Sequence, residues 1–312
     1  MLKHIDQYAC TSWEGAMRTF GLTVFLYCLN IATLSFVPST IWIVFRSLTL
    51  LRIFILMHDC SHFSLFPSIW ANNWVGMLLG TFVLTPMKKW RRGHNFHHKN
   101  SGNLEVVTLI SAVRAGDTIF FTRREWETLK PGWKRTTLRI LRDPLVFFTI
   151  VPLLIFFVSY RNPGRRDRTN TWGVTIFKLV EFSTLAYLFP SFWWMELIAL
   201  WATAILGVVL FHLQHGVNEG YRRDSEEHNV IDAAIAGSTF LPIPWFLKWA
   251  TLGIEYHHIH HLNTRVPCYK LADCHHSAPQ LWESVNHVTY KMAWHALWNV
   301  MWNEQTKRYE SF

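Results

Sequence analysis

Charge is what this sequence has little of. Asp, Glu, Lys and Arg make up 16% of its 312 residues, against about 25% in an ordinary soluble domain. Half of the chain is hydrophobic and 16% is aromatic. That composition excludes a disordered or collagen-like chain and argues against a soluble globule. Cysteine is scarce as well. Cys10, Cys28, Cys60, Cys268 and Cys274 are odd in number, and no Cys-x-x-Cys occurs. A small disulfide scaffold is therefore excluded, and reduced thiols favour an active face turned toward the cytosol. There is no internal repeat and no low-complexity segment. The first 19 residues, with Lys3, Asp6, Glu14 and Arg18, are not expected to be a cleaved secretory signal. Acidic residues are outnumbered, 21 against 30 basic ones, for a formal charge of +9. In a chain this apolar, the excess is read as facing an anionic membrane surface, and no nucleic-acid partner is expected.

What is present instead is long apolar runs. A membrane-crossing helix needs about 20 such residues. Four runs qualify, at approximately 20–38, 40–57, 173–190 and 192–211. The second is interrupted by Arg46 and Arg52, and Arg52 is expected to snorkel to the nearer surface. Trp74 to Pro86 is too short to cross. Pro144 to Tyr160 is uncharged but broken by Pro152, and is expected to dip into the interface without crossing. The expected fold is all-α: one integral membrane domain over 1–312, about four transmembrane helices, and cytosolic parts 58–172 and 212–312 forming a helical cap.

Histidine is the residue in surplus. Nine of the 17 fall in three five-residue windows: His58-Asp-Cys-Ser-His62, His94-Asn-Phe-His97-His98 and His257-His258-Ile-His260-His261. Even scatter would put about one there. On a helix, positions i, i+3 and i+4 share a face. His58 and His62 are so spaced, as are His94, His97 and His98, and again His257, His260 and His261, while His258 falls off the face. One His-x-x-x-His alone is common by chance; three windows together are not. Neutral imidazole is a strong ligand for transition metals. Eight ligands exceed what one metal takes, so two metals of four or five ligands each are expected. His215 is a ninth candidate, at the end of the last apolar run. Sharing a site requires all windows on one side of the membrane. Runs 173–190 and 192–211, as an out-and-back pair, satisfy that parity, and four arginines between 161 and 168 favour the cytoplasmic side for the preceding loop.

These windows resemble the histidine boxes of the membrane fatty acid desaturases. The similarity extends to Asn73-Trp-Val-Gly76, Thr85-Pro86, Trp90-Arg91-Arg92, Phe211-His-Leu-Gln-His215 and the run from His257 through Leu262-Asn-Thr-Arg-Val-Pro-Cys-Tyr269. It is nearest to acyl-lipid desaturases of the Δ12, or omega-6, type. The resemblance implies an oxidoreductase with two Fe ions and O2 as co-substrate, acting on a lipid acyl chain. It implies His58, His62, His94, His97, His98, His215, His257, His260 and His261 as metal ligands, with no catalytic residue beyond them. Asp59 and Gln214, beside ligands, are expected to orient imidazole N–H groups. The family usually has an acidic pair after the histidine at position 215; here the segment reads Gly216-Val-Asn218-Glu219. No His-Pro-Gly-Gly of a fused cytochrome b5 domain occurs, so a separate electron donor, of cytochrome b5 or ferredoxin type, is implied. Arg91, Arg92, Arg123, Arg124, Arg165 and Arg166 are candidates for its docking face. The site is expected on the cytosolic face of the endoplasmic reticulum if the source is eukaryotic, of the inner membrane if bacterial. The same ligand set also suits an acyl-chain or alkane hydroxylase. A carotenoid oxygenase or a non-enzymatic metal-binding membrane protein is a more distant alternative.

Overall fold

The computed structural model describes residues 1–106 and 121–312, so part of the expected soluble stretch lies outside the described residues. The chain is mainly helical. Helix α1 (Trp13–Thr33) starts where the Ser12 side chain accepts the Gly15 N–H. A short turn leads to α2 (Ser39–His62), which begins after Pro38 and stops where Phe63 turns left-handed at φ 60°. The expected short segment becomes α3 (Ile69–Phe82), 14 residues long. It leads through Pro86 into α4 (Met87–Asn100), which carries the second histidine window. Helix α5 (Pro144–Leu153) is capped by Asp143 and contains Pro152. It widens into a π turn over Leu154–Val158, as happens where a proline removes a backbone donor. Helices α6 (Arg168–Leu188) and α7 (Phe192–His215) form the next hairpin. The third window lies on α8 (His257–Leu262), followed by α9 (Cys268–His276). A small sheet joins Phe121–Thr122, Met301–Asn303 and Arg308–Glu310 in that order.

The two hairpin turns meet at one end of the bundle, where Leu34, Trp42, Phe192 and Met195 pack with Val37 and Phe189. Helices α2 and α7 therefore deliver their last residues, His62 and His215, to the opposite end. Among the described residues, four helical stretches are long and apolar enough to cross a membrane: Trp13–Thr33, Ser39–His62, Pro144–Arg161 and Phe192–His215. Three match expected spans. The fourth is the segment expected only to dip, and α6 is absent from the set because Lys178 and Glu181 interrupt its apolar run. Both ends of 144–161 bond to segments next to candidate ligands, one to α4 and the other to Asn299, whose amide donates to the Gly216 carbonyl at 2.7 Å. Arg142 Nη2 donates to the Asn299 carbonyl at 2.9 Å, while Lys89 Nζ on α4 donates to the carbonyls of Ser159 at 2.7 Å and Asn162 at 2.9 Å.

Arg46 does not stand alone in α2. Its guanidinium forks onto Glu196 of α7, Nε to Oε2 at 2.8 Å and Nη2 to Oε1 at 3.0 Å. Lys178 of α6 reaches Glu196 at 2.6 Å and Glu181 at 2.8 Å, and Glu181 accepts from Tyr27 of α1. Two cations and two carboxylates thus join four helices in the apolar interior, where unpaired charge is expensive. Arg52 departs from its expectation. It is buried and turns inward, donating to Thr23 Oγ1 at 2.7 Å, to the Thr19 carbonyl at 3.1 Å and to the Trp249 carbonyl. Backbone and hydroxyl acceptors within reach remove the need to snorkel.

Candidate metal centre

Nine imidazoles from α2, α4, α7 and α8 converge at this end of the bundle. They divide into two groups, His58, His62, His94, His98 and His260 in one and His97, His215, His257 and His261 in the other. Within each group one nitrogen per ring lies within 4.8 Å of all the others. Spacing along the helix explains the division. The i, i+4 pairs stay together: His58 with His62, His94 with His98, His257 with His261. The i+3 members, His97 and His260, point about 60° of helix rotation to one side of the i member and about 100° from the i+4 member, and they cross to the other group.

In the four-membered group the Nε2 atoms close a ring. His97 to His215 is 3.1 Å, His215 to His257 2.9 Å, His257 to His261 3.1 Å and His261 back to His97 3.2 Å. These cannot all be hydrogen bonds, because a neutral imidazole carries one N–H and a ring of four such contacts can satisfy only two. A ring with edges of this length surrounds a point about 2 Å from each nitrogen, the length of an imidazole–metal bond. In the five-membered group, Nε2 contacts run from His58 to His94 at 2.9 Å, His94 to His98 at 3.0 Å and His98 to His260 at 3.0 Å. His62 Nε2 is buried with no hydrogen-bond partner among the described residues, while its ring lies 4.9 Å from those of His58, His98 and His260. Burial first, and neighbouring imidazoles second, hold His94, His98, His257, His260 and His261 well below the ordinary histidine range. They are neutral at pH 7 and present lone pairs. The donor set and its geometry fit two metal ions.

The expected supporting residues behave differently from one another. Asp59 Oδ1 lies 3.3 Å from His58 Nδ1, and Oδ2 accepts the Cys268 backbone N–H at 2.7 Å. One carboxylate therefore holds a box histidine and anchors the start of α9. Asp59→Asn is expected to lower metal affinity about 10- to 100-fold in titrations against a competing chelator. Unchanged affinity would remove Asp59 from that role. Gln214 instead donates to the Ile254 carbonyl at 2.9 Å and touches no box imidazole through that amide. His215 Nδ1 is set by the Gly237 carbonyl at 3.0 Å, a backbone partner that sequence could not name. Asn218 is occupied on both sides of its amide by Tyr309, donating to its carbonyl at 3.0 Å and accepting its N–H at 2.6 Å. A carboxylate could not donate there, which gives the missing acid a structural reason. Glu219 is exposed, 3.6 Å from Arg308. Of the arginines expected to face an electron donor, Arg92 is paired with Asp167 and Arg123 with Glu127.

Beside the imidazoles runs an apolar slot of about 710 Å³, bounded by α2, α4, α7 and the π turn after α5. His58, His94, His97 and His257 are part of its lining. Trp90 stacks on His94 with ring centroids 4.1 Å apart and also faces the slot. Sequence did not single out this wall, since its Phe, Leu and Val look like any membrane helix.

Comparison with known proteins agrees with this geometry. The sequence profile of the family described as Fatty acid desaturase matches residues 32–294. A protein from Bacillus subtilis (strain 168) named Fatty acid desaturase is 32% identical over 271 residues, 84% of this chain and 74% of its own length. An sn-1 oleoyl-lipid 12-desaturase from a Picosynechococcus species is 23% identical over 293 residues, 91% of this chain and 80% of its own. An sn-1 acyl-lipid omega-3 desaturase (ferredoxin) from Nostoc sp. (strain 36) is 22% identical over 273 residues, 79% of this chain and 69% of its own. With the profile spanning most of the sequence, this chain belongs to the fatty acid desaturase family.

Proposed function

We propose that this protein is a membrane-bound acyl-lipid desaturase of Δ12 (omega-6)-like specificity. It would hold two irons in its nine histidines and use O2 with electrons from a separate cytochrome b5 or ferredoxin type donor. One observation carries the reading: two groups of converging neutral imidazoles sit on the wall of an apolar slot. The 12-desaturase relative supports the regiospecificity, and the word ferredoxin in the name of another relative supports that class of donor.

When bound, the irons with O2 and two electrons would supply the oxidising power to take two hydrogens from adjacent saturated carbons. The rest is the work of the chain. Leu51, Phe54, Phe156 and Phe211 offer an acyl chain dispersion contacts and exclude water. His58, His94, His97 and His257 bring the ligand cage to the same wall, so a chain in the slot passes beside it. Asp59 and the Gly237 carbonyl fix ring orientations. Crossings by α1, α2, α6 and α7 would put every histidine on the cytosolic side. The joint position of both hairpin turns supports this, as does the bonding of both ends of 144–161 to segments next to candidate ligands.

Lipid analysis tests the proposal. The protein is expressed with a donor in a host that makes only saturated and monounsaturated chains, and new double bonds are located by mass spectrometry. A dienoic acid formed by the wild type is expected. A hydroxy acid in its place would transfer the assignment to a hydroxylase. Unchanged lipids from metal-loaded protein would refute an acyl substrate.

A further inference from the structure

Glycine inside a helix is less favourable than alanine, so its place in α7 calls for a cause. Close packing is the usual one, and it operates nearby. A Cβ on Gly76 would stand 2.3 Å from Met87 Sδ, and one on Gly80 would stand 2.3 Å from the Thr85 carbonyl oxygen. Gly207 is different. A Cβ there would meet nothing within 4 Å, and the residue lines the apolar slot. The missing side chain leaves the slot open.

Position gives that opening a meaning. Gly207 lies eight residues before His215, roughly 12 Å along the helix axis. Further along α7 from His215, the slot is lined by Leu200, Thr203 and Ala204, all buried. The Thr203 hydroxyl is already engaged with the carbonyls of Ser47 at 3.1 Å and Ala199 at 2.7 Å. This part of the slot therefore presents apolar surface. The other end of the slot passes Lys89 and the exposed Arg92 and Gly93. An acyl chain fits with its polar end at α4 and its methyl end past Gly207.

We propose that Gly207 sets the depth of the slot, and with it the number of carbons that extend beyond the histidines toward the methyl end. The inference rests on the acyl-chain reading above and adds a chain-length determinant to it. A larger residue at this position raises the floor and leaves room only for shorter tails.

The test compares wild type, Gly207→Ala and Gly207→Leu in a host fed equal palmitoleate and oleate, with metal content measured on each purified protein. In parallel, each protein in detergent is offered equimolar dipalmitoleoyl and dioleoyl phosphatidylcholine, and retained lipid is read by mass spectrometry, which needs no turnover. Gly207→Leu is expected to shift both the product ratio and the retained-lipid ratio toward the shorter chain by about tenfold, the scale on which a hydrophobic pocket discriminates methylenes. Gly207→Ala, which helix propensity favours, should shift them in the same direction by less. Metal content should match the wild type throughout. Unchanged ratios with full metal would overturn the role of Gly207, and so would equal loss of both lengths. A wild type that forms no acyl product yet retains lipid with the expected shift would indict the desaturase reading and leave the slot geometry standing.

Discussion

His97→Ala should leave the purified protein with about one metal per chain instead of two and reduce product by more than about 100-fold, beyond the usual effect of removing an outer-sphere partner. The reasoning is one of ligand count. His97 belongs to the four-membered group, whose Nε2 ring has no spare member. His62→Ala acts on the group of five and leaves four imidazoles. It is expected to retain close to two metals while still lowering turnover. Metal analysis alongside a thermal melt checks both variants. Equal metal loss in the two would mean that the groups do not bind independently. Full metal in His97→Ala would mean that the ring of four is not a metal cage.

The second large effect lies far from the histidines. Glu196→Gln leaves Arg46 and Lys178 facing only Glu181 in the apolar interior. Breaking a buried ion pair by removing one partner typically destabilises by about 3–5 kcal/mol, a large part of the 5–15 kcal/mol that holds an ordinary fold. A sharp fall in folded yield and in the unfolding midpoint in detergent is expected. Adding Lys178→Met restores the balance of one cation and one carboxylate, and should recover much of the loss. A Glu196→Gln protein as stable as wild type would show that the network is not a structural tie. A double variant no better than the single would show that the effect is not electrostatic.

The legible and illegible parts of the molecule divide along physical lines. The histidine windows stand out in sequence because ligands on one helix must share a face, and that constraint is local. Their assignment to two groups is not local. It depends on the angles at which α4 and α8 approach each other, so the crossing of His97 and His260 could not be read beforehand. Arg46 is visible as an interruption and Lys178 and Glu181 lower the hydropathy of α6, but Glu196 disappears into the apolar average of α7, and only packing brings the four together. The segment 144–161 was expected only to dip because of Pro152, yet it is long and apolar enough to cross, since a π turn after the proline lets the helix continue. Gln214 was expected to support an imidazole because it adjoins one in sequence. On a helix, adjacent residues point about 100° apart, and its amide went to Ile254.

The order in which the ligands occur along the chain also constrains how the protein is made. His58 and His260 belong to one cage but stand 202 residues apart, since 260 minus 58 is 202. The second cage likewise needs His97 from an early helix and His261 from a late one. At about 5–20 residues per second of synthesis, the first ligand waits roughly 10–40 s for its last companion. During that interval neither group is complete, and the early histidines lack the partners that the late helix supplies. Tight metal capture would therefore be confined to chains whose synthesis has passed His261, so loading would report a completed set of ligands.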